Sequence, residues 1–312
     1  MDKYSTLLLE KLSKSAESSI VIDVQPLFLD HTMNTSLEFL GIQEAGDIEV
    51  TTGVKEPRFP KAVETAQMAM VRRTICGLYW LYDTTSFRHA CQLCRAVVRS
   101  SVDRAVLRAE APSEKKRSGR ATSLLDELTV YTKDTDRLTS MALDLMLAGR
   151  DTSAAFLSFV IYYLARHPSA YARLRCAVES DFGTAANPEE VTFEKLKSCH
   201  YLQWVMHETL RLQPSTPLGI KEAVRDTTLP RGGGPDGMLP IAVPKVCSSF
   251  QMSNKDMTLL ISCLKGTEIL YNFHLMHRDT EYWGADVEEW RPARFSRRKL
   301  GKDYLPFNGG PR

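Results

Sequence analysis

Residues 148–153, with the sequence AGRDTS, place an acid and an alcohol side by side, next to two residues with little side-chain bulk. In a helix, Ala148 and Gly149 would leave one face flat enough for a planar cofactor to lie against the backbone. Thr152 can donate its hydroxyl to the carbonyl oxygen of Ala148, which loosens that turn. Asp151 can give or take a proton beside this hydroxyl. Small residues within a helix also indicate close packing between helices, and at this point both interpretations stay open.

Glu208 and Arg211 form a second pair that could carry charge-assisted chemistry. Their spacing puts both side chains on one face of a helix. An isolated pair at this spacing is common on protein surfaces and by itself indicates little. Here the opposite face is apolar, and Pro214 and Pro217 follow directly. This context makes the pair more informative than its spacing alone.

Helical periodicity dominates the part of the chain that must position these residues. The pattern predicts helices at residues 4–16, 22–40, 61–107, 137–166, 171–180 and 193–211. Strand patterns appear only after Pro214, at residues 222–229, 241–244 and 267–273. The predicted fold class is therefore mainly α with a small β portion, in one mostly helical domain.

Composition describes an ordinary globular chain. The 312 residues include 40 basic and 38 acidic side chains, and this net charge of +2 gives no reason to expect a nucleic-acid partner. The seven cysteines lack a framework spacing, which favours a reducing compartment. The most apolar stretch, residues 152–165, is shorter than the roughly 18 residues that a spanning helix needs. No anchor is expected in this chain, which as given is predicted to be soluble and cytoplasmic.

Three other motifs favour structural interpretations. Cys91 and Cys94 with His89 have a zinc-like spacing, but no second pair exists and a helix is predicted there. The triplet at residues 277–279, His-Arg-Asp, resembles a kinase catalytic loop without the asparagine that such a loop requires. The glycine run at residues 231–237 precedes no helix, so a turn between strands is expected rather than a phosphate loop.

The motifs AGRDTS, ETLR, RPARF and FNGGPR occur in the order that is typical of the haem-thiolate monooxygenases, and the chain resembles the cytochrome P450 superfamily. Residues 78–91, 223–237 and 276–295 are similar to its fungal members that hydroxylate n-alkanes and fatty acids. The resemblance implies the cytochrome P450 fold, haem b (iron protoporphyrin IX), molecular oxygen, and NADPH electrons from NADPH-cytochrome P450 reductase. It also implies an apolar long-chain small-molecule substrate and the endoplasmic reticulum membrane.

The resemblance also assigns roles to individual residues. Asp151 and Thr152 would form the oxygen-activating pair, and Glu208, Arg211 and Arg294 a buried ion cluster that ties a helix to the loop under the haem. The cofactor-binding residues would be Ala148, Gly149, Lys221, Phe307, Gly310 and Arg312. The substrate-lining residues would be Leu145, Thr216, Pro217 and Leu218.

The family's closing string, F-x-x-G-x-R-x-C, ends in the cysteine that binds iron. The sequence given stops two places before that cysteine, and the family's early segment has no counterpart before Met1. We therefore expect a fold that is incomplete at both ends, no metal ligand in this chain, and no activity of the chain as given. The alternative is a non-catalytic helical pseudoenzyme or interaction module, or a gene fragment.

Residues 246–265 are predicted to be an insertion within a partial domain that spans residues 1–312. Removing them joins Lys245 to Gly266 and restores a continuous strand–turn–strand pattern, PIAVPKGTEILYNF. Val246-Cys247 can be encoded by GTATGT, a common fungal splice donor. These residues are therefore hypothesised to be a translated intron.

Overall fold

The computed structural model describes residues 2–18, 21–42, 59–76, 80, 82–110, 123–245 and 268–309. Its eleven helices, in chain order within these residues, are α1 Asp2–Glu17, α2 Val24–Leu40, α3 Phe59–Cys76, α4 Thr85–Glu110, α5 Leu124–Tyr131, α6 Thr135–Arg166, α7 Pro168–Phe182, α8 Phe193–Ser198, α9 His200–Leu212, α10 Phe273–Met276 and α11 Thr280–Trp283. A 3-10 helix, Pro292–Ser296, follows. The mainly α prediction is confirmed, and no helix among the described residues is long and apolar enough to cross a membrane.

The strands form three two-stranded antiparallel sheets. The strands are β1 Gly183–Thr184, β2 Asn187–Pro188, β3 Leu218–Glu222, β4 Thr227–Gly233, β5 Leu239–Val243 and β6 Glu268–Asn272. β1 pairs with β2, β3 with β6, and β4 with β5. The glycine run lies where β4 ends and its turn to β5 begins, and Gly232, Gly234 and Gly237 have positive φ there. The prediction of a turn between strands is thereby confirmed.

Local capping explains where several helices begin and end. The Asp23 side chain accepts from the backbone N–H of Gln25 at the start of α2, and Gly41 ends that helix in the left-handed conformation with φ 78°. A capping box between Ser123 and Asp126 starts α5. Pro168 occupies the first turn of α7, where its missing N–H costs nothing.

Three of the predicted elements differ from the structure. Residues 61–107 form two helices, α3 and α4. The predicted helix at residues 193–211 is divided at Cys199, whose ψ of 78° is not helical. The predicted strand at residues 222–229 covers the end of β3 and the start of β4. Between them the Asp226 carboxylate accepts from the Lys245 N–H, 2.8 Å away.

The chain divides into two compact units, Met1–Ser158 and Phe159–Arg312. The core of the first unit is formed by α2 to α5 and the first part of α6, with Val98, Leu138 and Met146 fully buried. In the second unit, Leu164, Val205, Leu212 and Trp290 form one cluster. A second cluster there consists of Trp283, Val287, Phe295 and Tyr304. These clusters surround the groups described next.

Candidate functional site

Glu208 and Arg211 form a bidentate ion pair inside the second unit. The Arg211 Nε and Nη2 atoms lie 2.8 and 2.9 Å from the two carboxylate oxygens of Glu208. Both side chains are 0% exposed. A buried charge is tolerated only when it is paired and its remaining hydrogen-bonding groups are satisfied. The next contacts show how this pair is satisfied.

Backbone groups complete the pair and join α9 to the loops that follow it. Arg211 donates to the carbonyl oxygens of His277 and Glu289, at 2.9 and 3.2 Å. Glu208 accepts from the backbone N–H of Arg291 at 2.8 Å. These partners lie 66 to 83 residues further along the chain. The ion pair therefore fixes long-range loop positions from one end of a helix.

Arg294 is the third member of the cluster, as its place in the PARF segment predicts. Its Nε atom lies 3.4 Å from Glu208, and its side chain is nearly fully buried. A shorter ion pair of 2.7 Å joins Arg294 to Asp286, and this hydrogen bond lowers the pKa of the Asp286 carboxyl. The structure thus brings together Glu208, Arg211 and Arg294, and it adds Asp286, which the sequence did not single out.

His277 is a buried neutral imidazole beside this cluster. Its Nε2 atom accepts the backbone N–H of Leu305 at 2.9 Å, so the ring proton lies on Nδ1. Burial lowers the pKa of His277 to about 4. The sequence contained a signal for this residue, the His-Arg-Asp triplet, which was set aside as a false kinase motif.

An aromatic group encloses the same region. Trp283, Phe295 and Tyr304 pack with ring centroids 5.4 to 6.1 Å apart. The phenol of Tyr304 donates to the His207 carbonyl at 3.1 Å, and burial raises the pKa of this phenol. These rings exclude water from the ion cluster, which strengthens its hydrogen bonds.

The AGRDTS segment lies within α6, in the first unit. Thr152 donates its hydroxyl to the Ala148 carbonyl at 2.6 Å, which confirms the hydrogen bond expected from the spacing. The Asp151 carboxylate accepts from Gln67 of α3 at 2.5 Å and from Arg150 at 2.9 Å. Arg150 also donates to the Gln67 side-chain oxygen at 3.0 Å. Gln67, which no sequence pattern indicated, thus joins α3 to the acid of this segment.

The two small residues of α6 have different surroundings. A Cβ atom added at Gly149 would lie 2.8 Å from Ser36 Oγ, so this glycine allows α2 to approach α6 closely. The sequence allowed Gly149 to lie on a flat cofactor face or at a contact between helices, and the structure places it at a contact between helices. Ala148 and Leu145 are exposed within the described residues, Leu145 to 44%. The face that a planar group could use is therefore that of Ala148 rather than that of Gly149.

The remaining predicted residues lie in the second unit. Thr216, Pro217 and Leu218 are exposed at the start of β3, and Lys221 is exposed further along that strand. Phe307 is 64% exposed, and Asn308 beside it has a positive φ of 68°. Gly310 and Arg312 lie outside the described residues.

Each unit by itself has exposed apolar groups that fit a planar cofactor such as haem. In the first unit, Ala148 and Leu145 are exposed on α6, and Ala148 adds little bulk there. In the second unit, Phe307 has an exposed aromatic ring. No group of three potential metal-binding side chains occurs in the part of the chain that the structure describes. Burial raises the pKa of the Cys94 thiol to about 11, which is unfavourable for a metal-binding thiolate.

Comparison with known proteins places the chain among relatives of one kind. The family model of cytochrome P450 matches residues 1–232 and 240–312. The chain is 38% identical over 303 residues to cytochrome P450 monooxygenase g430 of a Fusarium species, covering 93% of this chain and 50% of that protein. It is also 38% identical over 304 residues to cytochrome P450 52A3-A of Candida maltosa, covering 93% and 54%. The chain thus spans about half the length of these relatives.

The fold is similar to that of a solved structure. The crystal structure of a cytochrome P450, CYP102L1, superimposes with a TM-score of 0.72 at 22% identity, covering 99% of this chain and 64% of that one. At this identity the likeness concerns the fold alone.

Proposed function

The chain belongs to the cytochrome P450 family, and from this premise we propose that it forms part of a haem-thiolate monooxygenase that hydroxylates long aliphatic chains such as n-alkanes or fatty acids. The observation that carries the proposal is the buried cluster of Glu208, Arg211 and Arg294, held by loop carbonyls and closed off by aromatic rings. A surface helix would not bury two arginines and a glutamate at this cost.

Haem would be held by residues from two parts of the sequence. By the resemblance, Ala148, Phe307 and Gly310 would contact the cofactor. Lys221 and Arg312 would pair with the acidic side chains of the ring as cations. When bound, haem would supply oxygen activation, and by the resemblance its thiolate ligand would be a cysteine two places after Arg312.

The protonation chemistry belongs to Asp151 and Thr152. Thr152 keeps its Oγ1 hydroxyl on the Ala148 carbonyl, at the exposed side of α6. Asp151 exchanges a proton at its carboxylate, whose position is fixed by Gln67 and Arg150. An acid held by two donors beside an alcohol can deliver protons one at a time without moving its backbone.

By the resemblance, the residues that contact substrate would be exposed apolar side chains of each unit. Leu145 lies one turn before Ala148 on the exposed side of α6. Thr216, Pro217 and Leu218 present a short, mostly apolar edge at the start of β3. Apolar surface of this kind favours an aliphatic chain over a charged ligand. The proposal includes electrons from NADPH through NADPH-cytochrome P450 reductase, and a location at the endoplasmic reticulum membrane.

Product analysis with a matched pair of variants tests this function. The protein encoded by the complete gene is supplied with reductase, NADPH and dodecanoic acid, and hydroxylated products are quantified. We expect Thr152→Ala to lower product yield by on the order of 100-fold. Ser153→Ala removes an adjacent, exposed hydroxyl and should leave the yield unchanged. Equal losses in both variants, or no hydroxylated product from the unaltered protein, would contradict the proposal.

A further inference from the structure

His277 connects the buried ion cluster to the segment at residues 305–309. Its backbone carbonyl accepts from Arg211 at 2.9 Å, and its side-chain Nε2 accepts from the Leu305 N–H at the same distance. The residue is 0% exposed. One residue therefore contacts the cluster through its main chain and the segment through its ring.

Residues 305–309 contain a turn in which the Asn308 N–H donates to the Leu305 carbonyl oxygen at 3.2 Å. Asn308 adopts a positive φ, which is uncommon for a residue other than glycine, and its side chain accepts from the Gly309 N–H at 2.7 Å. A weaker contact of 3.3 Å joins the Tyr271 hydroxyl to Asn308. The bond from Leu305 to His277 precedes this turn, and it fixes the point at which the backbone enters it.

The surroundings of the imidazole make this hydrogen bond difficult to replace with water. The rings of Tyr304 and Trp283 lie 5.4 and 6.3 Å from the imidazole ring. The Nδ1 atom is buried without a hydrogen-bond partner among the described residues. An apolar ring would avoid the cost of that unpaired group. The acceptor at Nε2 is therefore the feature that distinguishes histidine from phenylalanine at this position.

We propose that His277 is a positioning residue, which accepts the Leu305 amide and thereby sets the path of residues 305–309 from the Glu208–Arg211 pair. Only the role of residues 305–309 in contacting haem rests on the proposed function. The hydrogen bond between His277 and Leu305 exists in the chain without cofactor, so the positioning role can be tested separately.

Hydrogen exchange of the Leu305 amide, measured in the 312-residue chain without haem, tests the proposal. His277→Phe keeps a buried ring and removes the acceptor, and should speed exchange at Leu305 by tenfold or more while the amides of residues 208–212 stay protected. His274→Phe, in helix α10 three residues before His277 and without a described bond to Leu305, is the matched control and should leave that rate unchanged. Unchanged protection in His277→Phe, or an equal loss in the control, would overturn the assignment.

Two further variants keep the test decisive if His277→Phe does not fold. The side-chain oxygen of His277→Gln reaches the position of Nε2 and should restore protection of Leu305. His277→Asn places its oxygen near Nδ1 instead, and should leave Leu305 exchanging fast. Equal exchange rates in these two variants would refute a role for the acceptor.

Haem uptake distinguishes this inference from the proposed function. We expect the protein encoded by the complete gene to bind haem, and His277→Asn to lower its haem affinity at least fivefold relative to His277→Gln. If the unaltered protein binds no haem but its Leu305 protection depends on the acceptor, the proposed function fails and the positioning assignment stands. If haem affinity is high and equal in both variants, the contribution of His277 to haem contact is refuted.

Discussion

At the level of single residues, the main feature of the chain is the burial of the charged side chains of Glu208 and Arg211. Arg211 has all its described partners inside the protein, a carboxylate and two carbonyl oxygens. Removing one member of a buried pair leaves the other charge unpaired in a medium that solvates it poorly. A surface pair does not leave an unsolvated charge in this way, because water replaces the lost partner.

The first prediction compares two arginine truncations. Arg211→Ala should lower the free energy of unfolding by about 3–5 kcal/mol. Arg175→Ala removes an exposed arginine from its pair with Glu179 and should change the free energy of unfolding far less. Urea unfolding of both variants measures the difference, and equal effects would show that the Glu208–Arg211 pair is not buried in solution.

The second prediction concerns pH. The pKa of His277 is lowered from 6.5 to about 4 by burial, so the folded state favours the neutral ring. This contribution to stability is fully present above pH 6.5 and is lost as the pH falls from 6.5 to about 4, because the unfolded chain binds the proton first. At neutral pH, the contribution of this lowered pKa to the free energy of unfolding is about 3 kcal/mol.

His277→Gln provides the measurement for this pH prediction. Glutamine does not titrate, and the other histidines are common to both proteins. The difference in unfolding free energy between the original chain and the variant should therefore shrink steadily as the pH is lowered from 7 to about 4. A difference that stays constant across this range would show that His277 is not a buried neutral ring.

The sequence predicted the members of the ion cluster but not the residues that hold them in place. Glu208 and Arg211 are close in sequence, and the PARF segment identified Arg294 through the resemblance. His277 and Gln67 meet their partners across long stretches of chain, 66 residues for Arg211 and His277 and 84 residues for Gln67 and Asp151. No local pattern encodes such contacts, because only folding brings these residues together.

At the scale of elements, α6 presents two different faces within two residues. Gly149 faces α2, and Ser36 occupies the space where a side chain at position 149 would lie. Ala148, by contrast, is exposed. A stripe of small residues in a sequence does not say which of them touches a neighbouring helix. The answer depends on how α2 crosses α6, and this is why the sequence left both interpretations open.

The third prediction uses this contrast. Gly149→Val places a branched side chain where a single Cβ atom would already be too close to Ser36, and should lower stability by about 1–3 kcal/mol. Ala148→Val adds similar bulk to an exposed position on the same helix and should lower stability by no more than about 0.7 kcal/mol, the difference in helix propensity. Thermal unfolding of both variants is the measurement. Comparable destabilisation by the two would mean that Ala148 is also packed against protein.

Helix periodicity predicted most elements because the apolar faces of α1, α2, α6 and α7 repeat at helical intervals over long stretches. The break at Cys199 was missed, since both α8 and α9 continue the same apolar pattern on either side of it. The strands after Pro214 were placed within a few residues, but β1 and β2 before it were not predicted. The bend between β3 and β4, where Asp226 accepts from the Lys245 N–H, was also missed.

At the scale of the whole molecule, the interpretation of residues 246–265 as an insertion remains a prediction, since they lie outside the described residues. Its physical basis is that the flanking segments form β5 and β6, which each pair with another strand without needing the intervening residues. A connection of any length between them is tolerated at small entropic cost.

The fourth prediction is that the mature transcript lacks the codons for residues 246–265. Sequencing of cDNA across this junction is the measurement, with the codons for the glycine run at residues 231–237 as the internal reference. An mRNA population that retains both regions at equal abundance would rule out a translated intron.

We propose that the residues of this chain build part of a haem-thiolate protein. The most direct measurement is the carbon-monoxide difference spectrum of the reduced protein, expressed with the codons that follow Arg312 in the gene. We predict a cysteine codon two positions after Arg312 and a thiolate-type Soret band that is lost when that cysteine is replaced by serine. A spectrum without this band, or a band that survives the replacement, would contradict the account.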